Sequence, residues 1–122
     1  MISPNNLLLI YFLLISLQYH LVYSILKPYN RNEWYCGTDS IMHGVAKTII
    51  INGCTLDEYI IINKCCYHHD KCYGRALGRK NCDKQFCKCM NVVKSKTCKL
   101  LTIGFCLATE QFGSEAYNKQ EL

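Results

Sequence analysis

The residues that could carry chemistry concentrate in one short string, CCYHHDKCY, at positions 65–73. An imidazole that is oriented by a carboxylate is the usual general base near neutral pH. The first string holds His69 and Asp70 side by side, and a second string at positions 82–89 adds Asp83. The two strings predict general-base chemistry if the fold brings His69 and Asp83 together.

Two helices are predicted to position these groups. Residues at three- and four-residue spacing predict one long helix over positions 56–73. Thr55 is a good N-cap, and Glu58 three residues later completes a capping box. A second helix is predicted to begin at Asn81 or Asp83, after a short connection that is flanked by glycines.

The segments on either side of these helices are less regular. Positions 41–51 are apolar and could form a short helix or a strand; the β-branched run at 48–51 favours a strand but is too short to decide between the two. The helical pattern weakens after Lys94, so only a short last helix within positions 109–118 is expected.

The spacing of four cysteines predicts how the two helices pair. Cys65 and Cys72 are seven residues apart, as are Cys82 and Cys89. Seven residues are close to two helical turns, so each pair lies on one helix face, about 10.5 Å apart along the axis. In an antiparallel pair of helices, the alignment that places Cys72 opposite Cys82 also places Cys65 opposite Cys89. One register therefore satisfies two disulfides.

The same register brings the chemical groups together. His69 lies three residues before Cys72 and hence nearly on the same face, while Asp83 follows Cys82 directly. A contact between His69 and Asp83 is therefore predicted. His68 lies about 100° away around the helix, so it is not assigned this role.

The first two dozen residues are predicted to be a targeting segment. The apolar run at positions 7–17 is shorter than the roughly 20 residues that span a bilayer. Short residues around Ser24 then predict a secretory signal over positions 1–24 and a single domain over 25–122. A membrane anchor is the alternative interpretation.

All ten cysteines lie in the predicted domain, which is the pattern of a small secreted disulfide scaffold. A zinc site formed by Cys66, His69 and Cys72 is the alternative use of these residues. The even count and the paired spacing of seven favour disulfides. The chain is therefore expected to be secreted and extracellular.

The chain carries a formal charge of +5, none of it from positions 1–24. A basic surface favours anionic partners, either lipid headgroups or nucleic acid, and a secreted context favours lipid. A solvated helix face is the alternative explanation for most of these charges. The expected partner is a membrane or micelle surface rather than nucleic acid, and a monomer is expected. Eight basic residues fall within 25 positions: Arg75, Arg79, Lys80, Lys84, Lys88, Lys94, Lys96 and Lys99.

The two strings resemble the motifs of the secreted phospholipase A2 family. The motif Cys-Cys-x-x-His-Asp-x-Cys-Tyr is matched at every fixed position in 65–73, and the motif Cys-Asp-x₅-Cys is matched in 82–89. The short connection between them is similar to that of small nematode phospholipase A2-like proteins. The resemblance covers about positions 34–90. It implies a mainly α, disulfide-rich domain in which an N-terminal calcium loop precedes two long antiparallel helices cross-linked by disulfides.

The resemblance also implies an activity and its catalytic residues. His69 would accept a proton from a water molecule that attacks the sn-2 ester of a glycerophospholipid, releasing a fatty acid and a lysophospholipid. Asp83 would hold the imidazole in its productive tautomer, and Tyr73 would support this pair by a hydrogen bond.

A calcium site is implied by the same resemblance. Asp70 would bind Ca²⁺ together with backbone carbonyls of Tyr35, Gly37 and Asp39, and the Gly37 N–H is a candidate second donor to the oxyanion. Asp39 stands where the family's loop has a glycine, so it could instead offer its carboxylate. A catalytically silent homologue that binds membranes or a receptor is the alternative function.

One further disulfide, Cys36–Cys66, is implied by the resemblance. The other four cysteines, at positions 54, 87, 98 and 106, allow three pairings. Cys54–Cys87 with Cys98–Cys106 is the expected pairing, because the second bridge would close a short local loop.

Overall fold

The computed structural model describes residues 3–120. Within that range the chain is helical and contains no strand, which confirms the prediction of a mainly α, disulfide-rich domain. The helices in chain order are α1 (Pro4–Leu26), α2 (Ser40–Gly53), α3 (Leu56–Gly74), α4 (Arg79–Met90) and α5 (Lys96–Gln120).

Positions 41–51, which the sequence leaves open between a short helix and a strand, are helical and lie within α2. The Asp39 side chain caps the helix by accepting a hydrogen bond from the Met42 N–H at 2.9 Å. Ala46 and Ile50, one helical turn apart, are buried against the rest of the protein. Capping and one-sided burial therefore override the β propensity of the run.

The helix predicted over positions 56–73 is confirmed as α3. Both bonds of its capping box form: Thr55 Oγ1 accepts from the Glu58 N–H at 3.3 Å, and Glu58 Oε2 accepts from the Thr55 N–H at 3.0 Å. Helix α4 begins at Arg79, two residues before Asn81, the first of its two predicted starts. It follows directly after Gly78, which has a φ of +92°. A left-handed glycine provides the sharp turn between α3 and α4.

The short last helix predicted for positions 109–118 is wrong in length, because α5 has 25 residues. Its buried positions Cys98, Thr102, Gly113 and Tyr117 recur at helical spacing. Two of them are polar or lack a side chain, so the buried face of α5 shows no apolar stripe in the sequence.

The two disulfides predicted from the helix register are confirmed. Cys65 and Cys89 bridge α3 and α4 with a Cα–Cα distance of 5.7 Å, and Cys72 and Cys82 bridge the same helices at 5.6 Å. The early cysteine of α3 thus pairs with the late cysteine of α4, so the two helices run antiparallel. Cys36–Cys66, implied by the family resemblance, is also present.

The expected pairing of the other four cysteines is wrong. The structure joins Cys54 to Cys98 and Cys87 to Cys106. Cys98 and Cys106 both lie on α5, about 12 Å apart along its axis. That exceeds the Cα separation that a disulfide spans. The unexpected length of α5 therefore explains the error.

Removal of the Cys54–Cys98 bridge is expected to destabilise the domain strongly, because it fastens the end of α2 to α5 across 44 residues of sequence. The double variant Cys54→Ser/Cys98→Ser should lose ~3–4 kcal/mol of unfolding free energy, the scale for a loop of this length. Urea denaturation without reductant measures the change. A loss below ~1 kcal/mol would show that α5 is held without this bridge.

Glu58 joins the start of α3 to the turn before α5. The buried carboxylate accepts hydrogen bonds from the Ser95 N–H at 2.8 Å, the Ser95 hydroxyl at 2.8 Å and the Lys94 N–H at 3.0 Å. Together with the Thr55 bond, these donors hold the pKa of Glu58 at about 2, with the Ser95 N–H as the largest cause.

The Glu58 carboxylate is expected to make the stability of the folded protein depend on pH. A depressed pKa in the folded state contributes stability that is present above the unfolded value near 4.5 and is lost as pH falls toward 2. Glu58→Gln should therefore have a melting temperature several degrees below that of wild type at pH 7. Its melting temperature should also depend less on pH than that of wild type across this window. Circular-dichroism melts from pH 2 to 7 test this, with the exposed Asp57→Asn as control. Parallel profiles for Glu58→Gln and wild type would contradict it.

Helix α1 stands apart in composition. Pro4–Tyr23 is long and apolar enough to cross a membrane, and none of that stretch is buried inside the protein. A secretory signal and a membrane anchor both have this character, so the helix is compatible with secretion.

Candidate active site

The Asp83 carboxylate is the centre of a hydrogen-bonded cluster between α3 and α4. Its Oδ1 lies 2.8 Å from His69 Nε2 and accepts a second bond from the Tyr73 hydroxyl at 2.6 Å. The Cys72–Cys82 bridge fixes the two helices beside this cluster. The contact predicted between His69 and Asp83 is therefore present, while the catalytic roles of His69, Asp83 and Tyr73 stay predictions.

The surroundings of His69 favour a neutral imidazole. Its ring packs against Tyr73 and Phe86 at centroid distances of 4.1 and 4.7 Å. Burial lowers the pKa of His69, opposed by the hydrogen bond and the charge of Asp83. The Asp83 carboxylate only accepts hydrogen bonds, so His69 Nε2 carries the hydrogen of this contact. Nδ1 is then the ring atom that can take up a proton.

Tyr73 is held as a hydrogen-bond donor. Burial, and next its bond to Asp83, raise the pKa of Tyr73 well above its ordinary value, so the hydroxyl keeps its proton. The buried Gly113 of α5 makes room for this group, because a Cβ there would lie 2.5 Å from the Tyr73 hydroxyl oxygen. The role of Gly113 was missed from the sequence, where a lone glycine in a helix gives no sign of its neighbour.

Arg79 is a second residue that the sequence analysis did not assign to the site. Its Nε lies 3.5 Å from Asp83 Oδ2, whereas His69 and Tyr73 contact Asp83 Oδ1. Its guanidinium also donates to the Glu110 carbonyl of α5 at 2.5 Å. One cation therefore faces the buried carboxylate and fastens α4 to α5. The i,i+4 spacing of Arg79 and Asp83 was the available signal.

A cavity of about 810 Å³ opens beside the cluster. His69, Asp70 and Tyr73 line one part of it, and the loop residues Tyr35 and Gly37 line another. Such a volume is in the range of pockets that enclose small organic ligands. Its apolar lining, which suits a hydrocarbon chain, comes from Met42, Ala46, Phe86, Phe105, Ala108 and Phe112.

Asp70 fits a cation ligand. The residue is exposed at the cavity, but the surrounding protein removes much of the water around its carboxyl group. This desolvation raises the pKa of Asp70 to about 7, and the positive charge of Lys71 opposes the shift. A carboxylate that its surroundings disfavour is stabilised by a bound cation.

The loop before α2 is held firmly by α3. The buried Asn63 accepts from the Tyr35 N–H at 2.8 Å and donates to the Glu33 carbonyl at 2.7 Å. The Cys36–Cys66 bridge fixes the next residue of the loop. These contacts place Tyr35 and Gly37 at the cavity that also contains Asp70.

Asp39 lies differently from the other predicted calcium ligands. Its carboxylate caps α2 and its carbonyl accepts the His43 N–H at 2.8 Å. It does not line the cavity. Asp70, Tyr35 and Gly37 therefore line one cavity, whereas Asp39 caps α2. All four calcium assignments stay predictions.

Other metal sites find no support among the described residues. Two groups of metal-binding side chains come together, Cys54–Glu58–Cys98 and Cys87–Cys106–Glu110, but each contains a disulfide. The zinc alternative is excluded because Cys66 and Cys72 are also oxidised, and a thiolate is required to bind the metal.

The fold and site define a small, disulfide-stapled helical protein with a histidine–aspartate pair beside an apolar cavity. The chain is 36% identical over 97 residues to a Caenorhabditis elegans protein named phospholipase A2-like, a match that covers 75% of this chain and 55% of that protein. The predicted resemblance to nematode phospholipase A2-like proteins is thereby confirmed. The chain spans about half the length of the C. elegans protein. No protein-family model matches the chain. No solved structure matches it either.

Proposed function

We propose that the protein hydrolyses the sn-2 ester of glycerophospholipids in a calcium-dependent reaction, which is phospholipase A2 activity. The observation that carries the proposal is the His69–Asp83–Tyr73 cluster, which opens onto an apolar cavity of about 810 Å³. The relationship to a phospholipase A2-like protein supports it. The domain would accordingly be a shortened phospholipase A2 fold in which residues 35–39 form the calcium loop.

His69 would act as the general base. Its Nδ1 accepts a proton from a water molecule whose oxygen attacks the ester carbonyl carbon. The imidazolium then returns that proton to the departing glycerol oxygen as the acyl C–O bond breaks, leaving a free fatty acid and a lysophospholipid. Asp83 stabilises the imidazolium through the 2.8 Å contact at Nε2, and the Tyr73 hydroxyl keeps Asp83 in place.

The calcium ion would be held by the Asp70 carboxylate together with the backbone carbonyls of Tyr35 and Gly37. Asp39 would contribute an oxygen that also accepts a hydrogen bond from the N-terminal turn of α2. When bound, the ion supplies Lewis-acid chemistry that neutralises charge on the ester oxygen. The Gly37 N–H is the second donor proposed for that oxygen.

We propose that residues 1–24 are a secretory signal and 25–122 the phospholipase A2-like domain of an extracellular protein. All ten cysteines are paired in disulfides, which suits an oxidising compartment. Helix α1 continues past the proposed cleavage site to Leu26. Retention of α1 as a membrane anchor is the alternative.

The proposed partner is a phospholipid surface bound by a monomer, and basic residues outside the cavity are expected to assist. Charge reversal at the exposed Lys84 and Lys88 of α4 should weaken binding to anionic vesicles by at least about 30-fold and change binding to neutral vesicles little, since each basic residue near such a surface contributes ~1 kcal/mol. Vesicle cosedimentation measures both. Equal weakening on the two surfaces would refute this electrostatic role.

The second candidate function is a silent module that binds membranes or a receptor. It is favoured by one observation, namely that the Gly37 and Asp39 carbonyls accept hydrogen bonds from His43 within the structure.

A phospholipid with different acyl chains at its two positions distinguishes the two functions. Mass spectrometry of the products should find the sn-2 fatty acid and the lysophospholipid that retains the sn-1 chain. Release of both chains in equal amounts would contradict the assigned reaction. No release at any calcium concentration would favour the silent module.

A further inference from the structure

His43 of α2 ties the proposed calcium loop to the helix that follows it. Its backbone N–H donates to the Asp39 carbonyl at 2.8 Å, and its ring Nε2 lies 2.9 Å from the Gly37 carbonyl oxygen. A carbonyl oxygen only accepts, so Nε2 carries the hydrogen of this second bond. One residue therefore occupies two of the carbonyls assigned to calcium.

The contact with Gly37 is close and depends on glycine. Gly37 has a φ of +116°, which few other residues adopt. A Cβ there would lie 2.6 Å from both the ring Cδ2 and the backbone nitrogen of His43. Both residues line the cavity that contains Asp70, so the bond forms where the ion would bind.

We propose that His43 is a latch on the calcium loop: its imidazole competes with Ca²⁺ for the Gly37 carbonyl oxygen and leaves that oxygen when the ion binds. This inference rests on the proposed function, because it concerns the same calcium site. The latch raises the calcium concentration at which the site fills, so it regulates the site without taking part in the chemistry.

Competition follows from the charges at the oxygen. A bound hydrogen and a calcium ion both seek the lone pairs of one carbonyl, and the positive hydrogen repels a cation placed beside it. Release requires only rotation of the half-buried His43 side chain, since the backbone bond to Asp39 belongs to α2 and can persist. The adjoining cavity gives the ring space to move.

Calcium titration by calorimetry on the full disulfide-bonded protein tests the latch. His43→Ala should bind Ca²⁺ about fivefold more tightly than wild type, which corresponds to ~1 kcal/mol, the net contribution of one hydrogen bond. Lys47→Ala, an exposed position one turn further along α2, should bind as wild type does. Asp70→Asn should lose the binding.

The outcomes separate the latch from the proposed function. Equal or weaker binding by His43→Ala, with wild-type binding intact, overturns the latch and leaves the calcium site standing. Binding by His43→Ala alone supports a latch that is closed in the wild type. Binding by neither protein overturns both proposals.

A second readout needs no variant. Nitrogen-15 NMR of wild-type protein should find the His43 Nε2–H protected from solvent exchange without calcium and exposed at saturating calcium. Protection that is unchanged at saturation overturns the latch.

Discussion

His69→Gln is expected to lower the rate of sn-2 hydrolysis by about 10²–10⁴-fold, the usual contribution of a general base. An amide cannot accept the proton that Nδ1 takes from water. The glutamine NH₂ can still donate to Asp83 across the 2.8 Å contact, so the fold should persist. Initial rates of fatty-acid release measure the effect.

The adjacent His68→Gln is the matched control, because that side chain is exposed and does not line the cavity. It should keep nearly full activity. If both variants retain activity, His69 is not the base; if both lose it, α3 has been disturbed as a whole. Melting temperatures of the two variants distinguish the second case from specific loss.

Asp83→Asn is expected to give the second large effect, again about 10²–10⁴-fold in rate, because an amide does not stabilise the imidazolium. The side-chain NH₂ of the introduced asparagine would also face another hydrogen-bond donor in either orientation of the amide. In one it faces Arg79 Nε at the Oδ2 position, and in the other it faces His69 and Tyr73 at the Oδ1 position. Since Asp83 is buried, we also expect ~1–3 kcal/mol of lost stability.

The exposed Asp57→Asn on α3 is the control for removal of a negative charge. Activity and urea denaturation are measured together, under conditions where both variants are fully folded. Asp83→Asn with wild-type turnover would show that the carboxylate only supports the fold, and that His69 works without an orienting partner.

The sequence predicts the pairing of His69 with Asp83 better than the structure of the loop at positions 35–39. Paired spacing of seven residues in two helices determines the register, and the register brings His69 to Asp83, because helical geometry converts sequence separation directly into position. The capping box at Thr55 and Glu58 likewise predicts where α3 begins.

The proposed calcium loop depends on contacts that spacing does not encode. Asp39 interrupts the family's glycine pattern, and in the structure it becomes the cap of α2. That helix was predicted as a possible strand, so the bond from His43 to Gly37 could not be foreseen. A helix cap and a metal ligand draw on the same oxygen atoms, and only the three-dimensional context decides between them.

Helix α5 was missed for a different reason. Thr102 and Gly113 lie on its buried face, where Gly113 receives the Tyr73 hydroxyl. Small and polar residues at buried positions weaken the apolar periodicity from which a helix is predicted. The same omission led to the wrong pairing of Cys98 with Cys106.

The most direct test of the proposed activity is release of sn-2 fatty acid from phospholipid vesicles by purified wild-type protein, with calcium and with excess chelator. The account predicts release with calcium, none with chelator, and recovery when calcium is restored. Release that persists in excess chelator would contradict the calcium-dependent mechanism, and no release at saturating calcium would contradict the proposed activity itself.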